Sequence, residues 1–136
     1  MNVLLDANAL FADYAAYHRT DGNRRCHSIG IPLIAYAVVA WSCVGGFPIA
    51  ALLLPIYFIW SRGLGALMTL FIAGSALLAA RLPGWISWAA FAIGWAFQFY
   101  GHAVYEKKKP AFMKNFTHLL VGPAWIGVEM TGMEAP

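Results

Sequence analysis

Four stretches of this chain contain no charged residue, and they constrain its fold more than any other feature. Each is shorter than the ~20 residues that a helix needs to cross a bilayer core about 30 Å thick, so one of them alone could be a buried helix of a soluble protein. Four in succession indicate a membrane protein, because only 11% of the chain is charged where a soluble domain has about 25%. The stretches are residues 29–44, 47–60, 64–80 and 85–100.

The sequence therefore predicts an all-α fold, an integral membrane helical bundle with four transmembrane helices and interfacial N- and C-terminal helices. All 136 residues form one domain. Residues 1–28 are expected to form an amphipathic helix, with Leu4 and Leu5 in its apolar stripe, and then a polar loop in which the turn-forming run 20–23 ends the helix. Residues 29–100 contain the spans. Residues 101–130 are expected to hold a His/Glu segment and a C-terminal helix, with breaks at Pro110 and at Gly122-Pro123.

The distribution of basic residues predicts the orientation of the bundle. If four spans follow a cytoplasmic N-terminus, eight of the nine Lys and Arg residues lie on the cytoplasmic side and only Arg81 lies outside. Because translocation of basic residues is disfavoured, both termini are expected in the cytoplasm. The run of Lys107, Lys108 and Lys109 is interpreted as an anchor at anionic headgroups, and no nucleic-acid partner is predicted.

The histidines all lie outside the four apolar stretches. With both ends of the bundle on one side of the membrane, they are expected in one thin cytoplasmic layer, and imidazole is the commonest protein ligand of transition metals. Glu106 follows one of them by four residues on a continuing helix. It is either a ligand, a partner that orients an imidazole, or half of an ion pair with Lys109. The histidines are His18, His27, His102 and His118.

The residues alone leave the chemistry of such a site open. Nitrogen and carboxylate ligands suit Fe(II), Mn or Zn, so oxygen chemistry at iron and hydrolysis by a zinc-dependent membrane enzyme are both compatible with them. The remaining alternative is a non-catalytic small membrane protein, a transporter subunit or assembly factor whose histidines are structural. The sequence has no phosphate-binding loop and no serine-nucleophile elbow. It does not indicate an oligomeric state.

Two motif blocks that flank the apolar stretches resemble the Mpo-like family of 2-hydroxy fatty acid dioxygenases. More than a dozen positions match in order, and the resemblance covers nearly the whole chain. The first block comprises Tyr14, His18, Asn23, His27, Gly30 and Pro32. The second comprises Gln98, Gly101, His102, Glu106, Pro110 and Ala111, followed by Gly122, Pro123 and Glu129.

The resemblance implies an integral membrane enzyme that uses Fe(II) and O2 to cleave a lipid-derived 2-hydroxy fatty acid into the one-carbon-shorter acid and CO2. The compact length looks bacterial, so the expected location is a bacterial inner membrane with the metal site on the cytoplasmic side. Arg24 or Arg25 is expected to attract the substrate carboxylate. The metal ligands that the resemblance implies are His18, His27 and His102, with His118 as a further candidate. The catalytic or substrate-orienting residues expected around them are Glu106, Asn23, Tyr14 and Gln98.

Overall fold

The structure is a computed structural model that describes residues 6–106 and 117–134. Its regular elements are almost entirely helical, so the all-α prediction is confirmed. Some residues on which the sequence prediction depended lie outside the described residues. These are Leu4, Leu5, Lys107 to Lys109 and Pro110. The helices are α1 (Ala7–Ala16), α2 (Asp21–Ser42), α3 (Leu54–Trp60), α4 (Arg62–Arg81), α5 (Trp85–Tyr100) and α6 (Thr117–Thr131).

Helix α2 begins earlier than the sequence predicts. The run 20–23 was predicted to be a loop that follows the first helix, but it forms the start of α2. Thr20 is the N-cap of α2, and its side chain accepts a hydrogen bond from the backbone N–H of Asn23. Asp21 in the first turn further favours a helix start at this point, because its negative charge is attracted to the positive end of the helix dipole. His27 consequently lies on a rigid helix rather than in a loop.

The second apolar stretch is not one continuous helix. After α2 the chain makes a short antiparallel ladder between β1 (Cys43–Val44) and β2 (Phe47–Pro48). Gly45 and Gly46 between the strands have φ of 57° and 84°, which is the left-handed conformation that a two-residue hairpin requires and that glycine adopts without strain. A 3-10 helix, Ile49–Leu53, then leads into α3.

The prediction of four membrane spans is not confirmed. Within residues 6–106 and 117–134, α4 is the one helix that is both long and apolar enough to cross a bilayer, with a mean hydropathy of 1.9. Helix α2 has 22 residues but carries charged side chains in its first turns, and α5 has 16 residues. Only 28% of the apolar window of α4 is buried inside the protein.

Two glycines determine how closely α2 approaches α5. The helices run antiparallel, with the Trp41 indole donating a hydrogen bond of 2.9 Å to Ser87 near one end and His27 beside His102 at the other. Where they cross, a Cβ on Gly30 would lie 2.7 Å from the carbonyl oxygen of Gly94, and the reverse distance is the same. Any side chain at this crossing would therefore push the two backbones apart.

The remaining helices share a common core. Helix α6 is continuous through Pro123, contrary to the predicted interruption, because burial of its flanking residues holds the helix despite the lost hydrogen bond. Beyond α5 the chain continues as a π-helical turn, Gly101–Glu106. The buried residues of the core are Ala7, Leu10, Phe11, Tyr14, Tyr57, Trp60, Leu64, Met68, Val121, Ala124, Trp125 and Ile126.

Candidate metal centre

Three of the four histidines converge on one point between α1, α2 and the π-helical turn. His18 lies in the connection that follows α1, His27 lies on the second turn of α2, and His102 lies on the π-helical turn. One ring nitrogen from each lies within 4.8 Å of the others, and the exposed fraction of each residue is 2% or less. Three imidazoles grouped in this way could hold a transition-metal ion, since imidazole suits Fe, Zn, Cu and Ni.

Backbone carbonyl groups fix the orientation of two of these rings. The Nδ1–H of His18 donates to the carbonyl of Tyr14 at 2.6 Å, and that of His27 donates to the carbonyl of Asn23 at 3.0 Å. Each bond places the ring proton on Nδ1 and the lone pair on Nε2, which is the arrangement found behind metal-bound histidines. The Nε2 of His27 lies 3.1 Å from the Nε2 of His102. The Nε2 of His18 is buried without a hydrogen-bond partner in the described part of the chain. The donor set therefore fits a bound metal ion.

Burial keeps the three histidines neutral. Desolvation is the largest cause for each, and it lowers the pKa of His18 to about 4, that of His27 to about 2 and that of His102 to about 4. The neighbouring imidazoles lower the pKa of His18 and of His27 further. A metal ion binds the neutral imidazole, so at neutral pH no proton has to be displaced from these ligands.

The same pKa values predict that the metal-free protein loses stability in mild acid. An unfolded histidine titrates near 6.5, so below that pH the unfolded chain binds more protons than the folded chain, and stability falls as the pH falls towards the folded pKa. His27 alone should contribute a loss of about 2 kcal/mol at pH 5. The measurement is the free energy of unfolding of the metal-free protein at pH 7.5 and pH 5. A triple His→Gln variant at positions 18, 27 and 102 should lose most of this dependence, and an equal dependence in the variant would contradict the assignment.

Glu106 does not join the three histidines as the helix spacing suggested. Its Oε1 accepts hydrogen bonds from the backbone N–H of Thr20 at 2.7 Å and from the Thr20 hydroxyl at 3.1 Å. Burial would raise the pKa of Glu106, but these hydrogen bonds and one from the Asn23 side chain outweigh it and leave the pKa below its usual value. Glu106 thus ties the π-helical turn that carries His102 to the start of α2, which carries His27.

Asn23 occupies a structural position beside the same contact. Its Nδ2 donates to the carbonyl of Tyr17 at 3.2 Å, and its side chain packs against Gly101. Because Asn23 also supplies the carbonyl that holds His27, it links the α1–α2 connection to both halves of the site.

His118 is also buried, but it lies outside the group of three. Its Nε2 is 2.6 Å from Oδ2 of Asp13, whose side chain is 52% exposed. The ring lies against Tyr14 and Tyr17, at centroid distances of 5.3 and 5.8 Å. His118 therefore connects the protein surface at Asp13 to the interior beside the histidine group.

The other predicted residues lie around the site in different roles. Tyr14 stacks on the His18 ring at 4.0 Å with an interplanar angle of 11°. Gln98 is buried, and its Nε2 has no hydrogen-bond partner among residues 6–106 and 117–134. Arg24 donates from Nε to the carbonyl of His18 at 2.9 Å and places its guanidinium 5.6 Å from the centroid of the Trp125 ring, which favours a cation–π contact.

Sequence reasoning missed three residues of the site. Trp125 packs 5.5 Å from His18, Asp13 pairs with His118, and Thr20 binds Glu106. Thr20 carried a usable signal, since a threonine followed by an acidic residue and a helical run is typical of an N-cap. Asp13 carried none, because its partner lies 105 residues away in the sequence.

The histidine group opens into an apolar cavity of about 540 Å³. Polar side chains lie at one end of it, and the remainder runs between α2, α3, α4 and α5 past aliphatic and aromatic residues. The polar end is lined by Tyr14, His18, His27, Gln98, His102 and His118. The apolar part is lined by Ile31, Ile34, Ala35, Val38, Val39, Ala50, Leu53, Met68, Phe71, Ile72, Phe91 and Trp95, among others.

Comparison with known proteins identifies the family of this chain. The family model described as 2-hydroxy-palmitic acid dioxygenase Mpo1-like matches residues 5–134. The 2-hydroxy-palmitic acid dioxygenase MPO1 of Saccharomyces cerevisiae is 30% identical over 130 residues, which cover 87% of this chain and 75% of the yeast protein. No solved structure matches the chain significantly. The match extends over both histidine-containing ends of the sequence, and this chain belongs to the Mpo1-like family.

Proposed function

We propose that this chain is an Fe(II)-dependent membrane dioxygenase that cleaves a 2-hydroxy fatty acid to the one-carbon-shorter fatty acid and CO2. The observation that carries the proposal is the opening of a buried group of three neutral imidazoles into an apolar cavity of about 540 Å³. Reactive chemistry at one end and an apolar volume of this size at the other suit an amphiphilic acid. The yeast relative is named for a reaction with such an acid.

The proposed reaction balances without a further reductant. One 2-hydroxy acid and one O2 give one shortened acid, one CO2 and one water, so the bond between the carboxyl carbon and the hydroxyl-bearing carbon breaks while O2 is reduced. His18, His27 and His102 would hold the iron, which when bound supplies open coordination positions where O2 and the 2-hydroxycarboxylate can meet.

The chain itself would orient the acid and exclude water. The Nε2 of Gln98, which has no partner among the described residues, is available to donate a hydrogen bond to the acid headgroup, and an unsatisfied buried donor favours such a ligand. His118 and Tyr14 line the same end of the cavity. Aliphatic and aromatic walls beyond them would hold the acyl tail and exclude water from the reacting carbon.

Membrane embedding with the site at the cytoplasmic face is part of the same proposal. Large apolar side chains project outward from α4 and α5, with Leu70, Leu77, Trp85 and Trp88 each about two-thirds or more exposed. Exposed apolar surface of this kind marks contact with a membrane or with another protein, and lipid is the contact that this proposal assigns to it. Reporter fusions at the two ends of the chain should both report the cytoplasm, and opposite locations would contradict this topology.

The deciding experiment combines metal analysis with turnover. The purified protein is loaded anaerobically with Fe(II) and incubated with 2-hydroxypalmitate with and without O2. We expect O2-dependent formation of pentadecanoate and CO2. Zinc as the bound metal, with turnover of a lipid ester or amide that needs no O2, would favour a hydrolase. Absence of both a bound metal and turnover would favour a non-catalytic membrane protein.

A further inference from the structure

The cavity has a length as well as a volume. His27 at its polar end and Val38 at its apolar end lie eleven residues apart on α2, which corresponds to about 16 Å along the helix axis. This is about half of the ~30 Å hydrocarbon core of a bilayer, and therefore about the length of one lipid acyl tail. The antiparallel helix α5 lines the same path from Gln98 to Phe91.

The far part of the cavity is bounded by side chains that are held in place. The backbone N–H of Ala50 donates to the hydroxyl of Ser42 at 3.2 Å, which fixes the 3-10 helix beside the last turn of α2. Phe91 packs against Trp41 at a centroid distance of 4.9 Å and against Trp95 at 6.1 Å. These contacts give this part of the cavity a defined shape.

Two alanines stand out among the larger residues along this path. Ala35 lines the cavity about two turns beyond His27, and Ala50 lines it at the far end. The residues that surround them on the cavity wall are Ile31, Ile34, Val38, Leu53, Phe71 and Phe91. A larger side chain at Ala35 would fill the cavity about three-quarters of the way from His27 to Val38, whereas a larger side chain at Ala50 would fill only its end.

We propose that Ala35 and Ala50 set the length of acyl tail that the site accepts. The inference rests on the proposed function for the identity of the ligand, and it deepens that function by assigning chain-length selection to these two positions. A saturated tail lies along the path from His27 towards Ala50. Each methylene that a larger side chain excludes from the cavity is left in contact with water or lipid instead. Each lost methylene weakens binding about fourfold.

The test measures binding rather than turnover. Octanoate, laurate, palmitate and arachidate, which lack the 2-hydroxyl group, compete with a fluorescent long-chain fatty acid for the purified protein. In the Ala35→Phe variant, palmitate should bind on the order of 100-fold more weakly, as expected for the loss of three to four buried methylenes, while octanoate keeps its affinity. In the Ala50→Phe variant, arachidate should lose more affinity than palmitate, and laurate should be unaffected.

Ala92→Phe is the matched control. Ala92 lies next to Phe91 on α5, is exposed, and does not line the cavity, so the same substitution there should leave all four affinities unchanged. If Ala35→Phe does not fold, the smaller substitution Ala35→Leu should weaken palmitate binding relative to octanoate in the same way, but by a smaller factor. An unchanged palmitate affinity in the Ala35 variants, or an equal loss for octanoate and palmitate, would overturn the proposal.

Because the probes are not substrates, this result is independent of catalysis. Failure of the wild-type protein to turn over 2-hydroxypalmitate would contradict the proposed function while leaving the order of the four affinities interpretable. Normal turnover with no dependence of affinity on residue 35 would instead reject only the role of the alanines.

Discussion

Replacement of His27 by alanine is expected to abolish metal binding and turnover together. The Nε2 of His27 lies 3.1 Å from that of His102, and its removal leaves two of three converging donors. Loss of a hydrogen-bonding partner behind a ligand typically costs about 10–100-fold in metal affinity or activity, and loss of the ligand itself should cost more. The measurement is iron content per chain after anaerobic loading, followed by formation of pentadecanoate from 2-hydroxypalmitate.

His118→Ala is the informative comparison for this variant. His118 is buried, as His27 is, but its Nε2 contacts Asp13 instead of the other imidazoles. We expect the His118 variant to retain its iron while its turnover falls, because the side chain lines the headgroup end of the cavity. Retention of full iron content by His27→Ala, or equal iron loss in both variants, would contradict the three-histidine assignment.

The convergence of histidines from both ends of the chain could be predicted from the sequence because its cause is topological. All four histidines lie outside the apolar stretches, so any antiparallel bundle with an even number of passes brings the two ends of the chain to one side. The all-α fold followed from the same stretches. Which of the candidate side chains point at the common centre could not be predicted in this way, because side-chain directions are not fixed by sequence spacing alone.

Glu106 illustrates what spacing cannot give. On a regular α-helix, positions 102 and 106 share a face, and this spacing is compatible with Glu106 as a ligand, as a partner that orients an imidazole, or as half of an ion pair with Lys109. The chain instead adopts a π-helical turn over Gly101–Glu106, a rare geometry that changes side-chain directions and often occurs at functional sites. Glu106 therefore points to Thr20, and no local pattern in the sequence indicated the change.

The start of α2 was missed for a different reason. Asp, Gly and Asn in succession are typical turn residues, and Gly22 lowers helix propensity by about 1 kcal/mol. In the structure Gly22 packs against the ring of Tyr105, a contact between residues distant in sequence. Tertiary packing against the π-helical turn thus stabilises a helix start that local propensity disfavours.

Replacement of Gly94 by alanine should disrupt the site from a distance. A Cβ at residue 94 would lie 2.7 Å from the carbonyl oxygen of Gly30 and 2.7 Å from Cγ1 of Ile34, so α2 and α5 must separate. Overpacking of this kind typically costs about 1–3 kcal/mol of stability. His27 lies on α2 and His102 lies on the π-helical turn that continues α5, so separation of α2 and α5 should also weaken metal binding. A displacement of about 1 Å in a reactive site can cost on the order of 100-fold.

The same substitution at Gly74 separates this effect from helix propensity. Gly74 lies on α4, and beyond its own stretch of helix no atom of the described residues lies within 4 Å of its would-be Cβ, so alanine there should raise stability by up to about 1 kcal/mol through propensity alone. Gly94→Ala gains the same propensity, and a net loss of stability must therefore come from the helix crossing. If the two variants unfold at the same temperature and bind iron equally well, close approach of α2 and α5 does not support the metal centre.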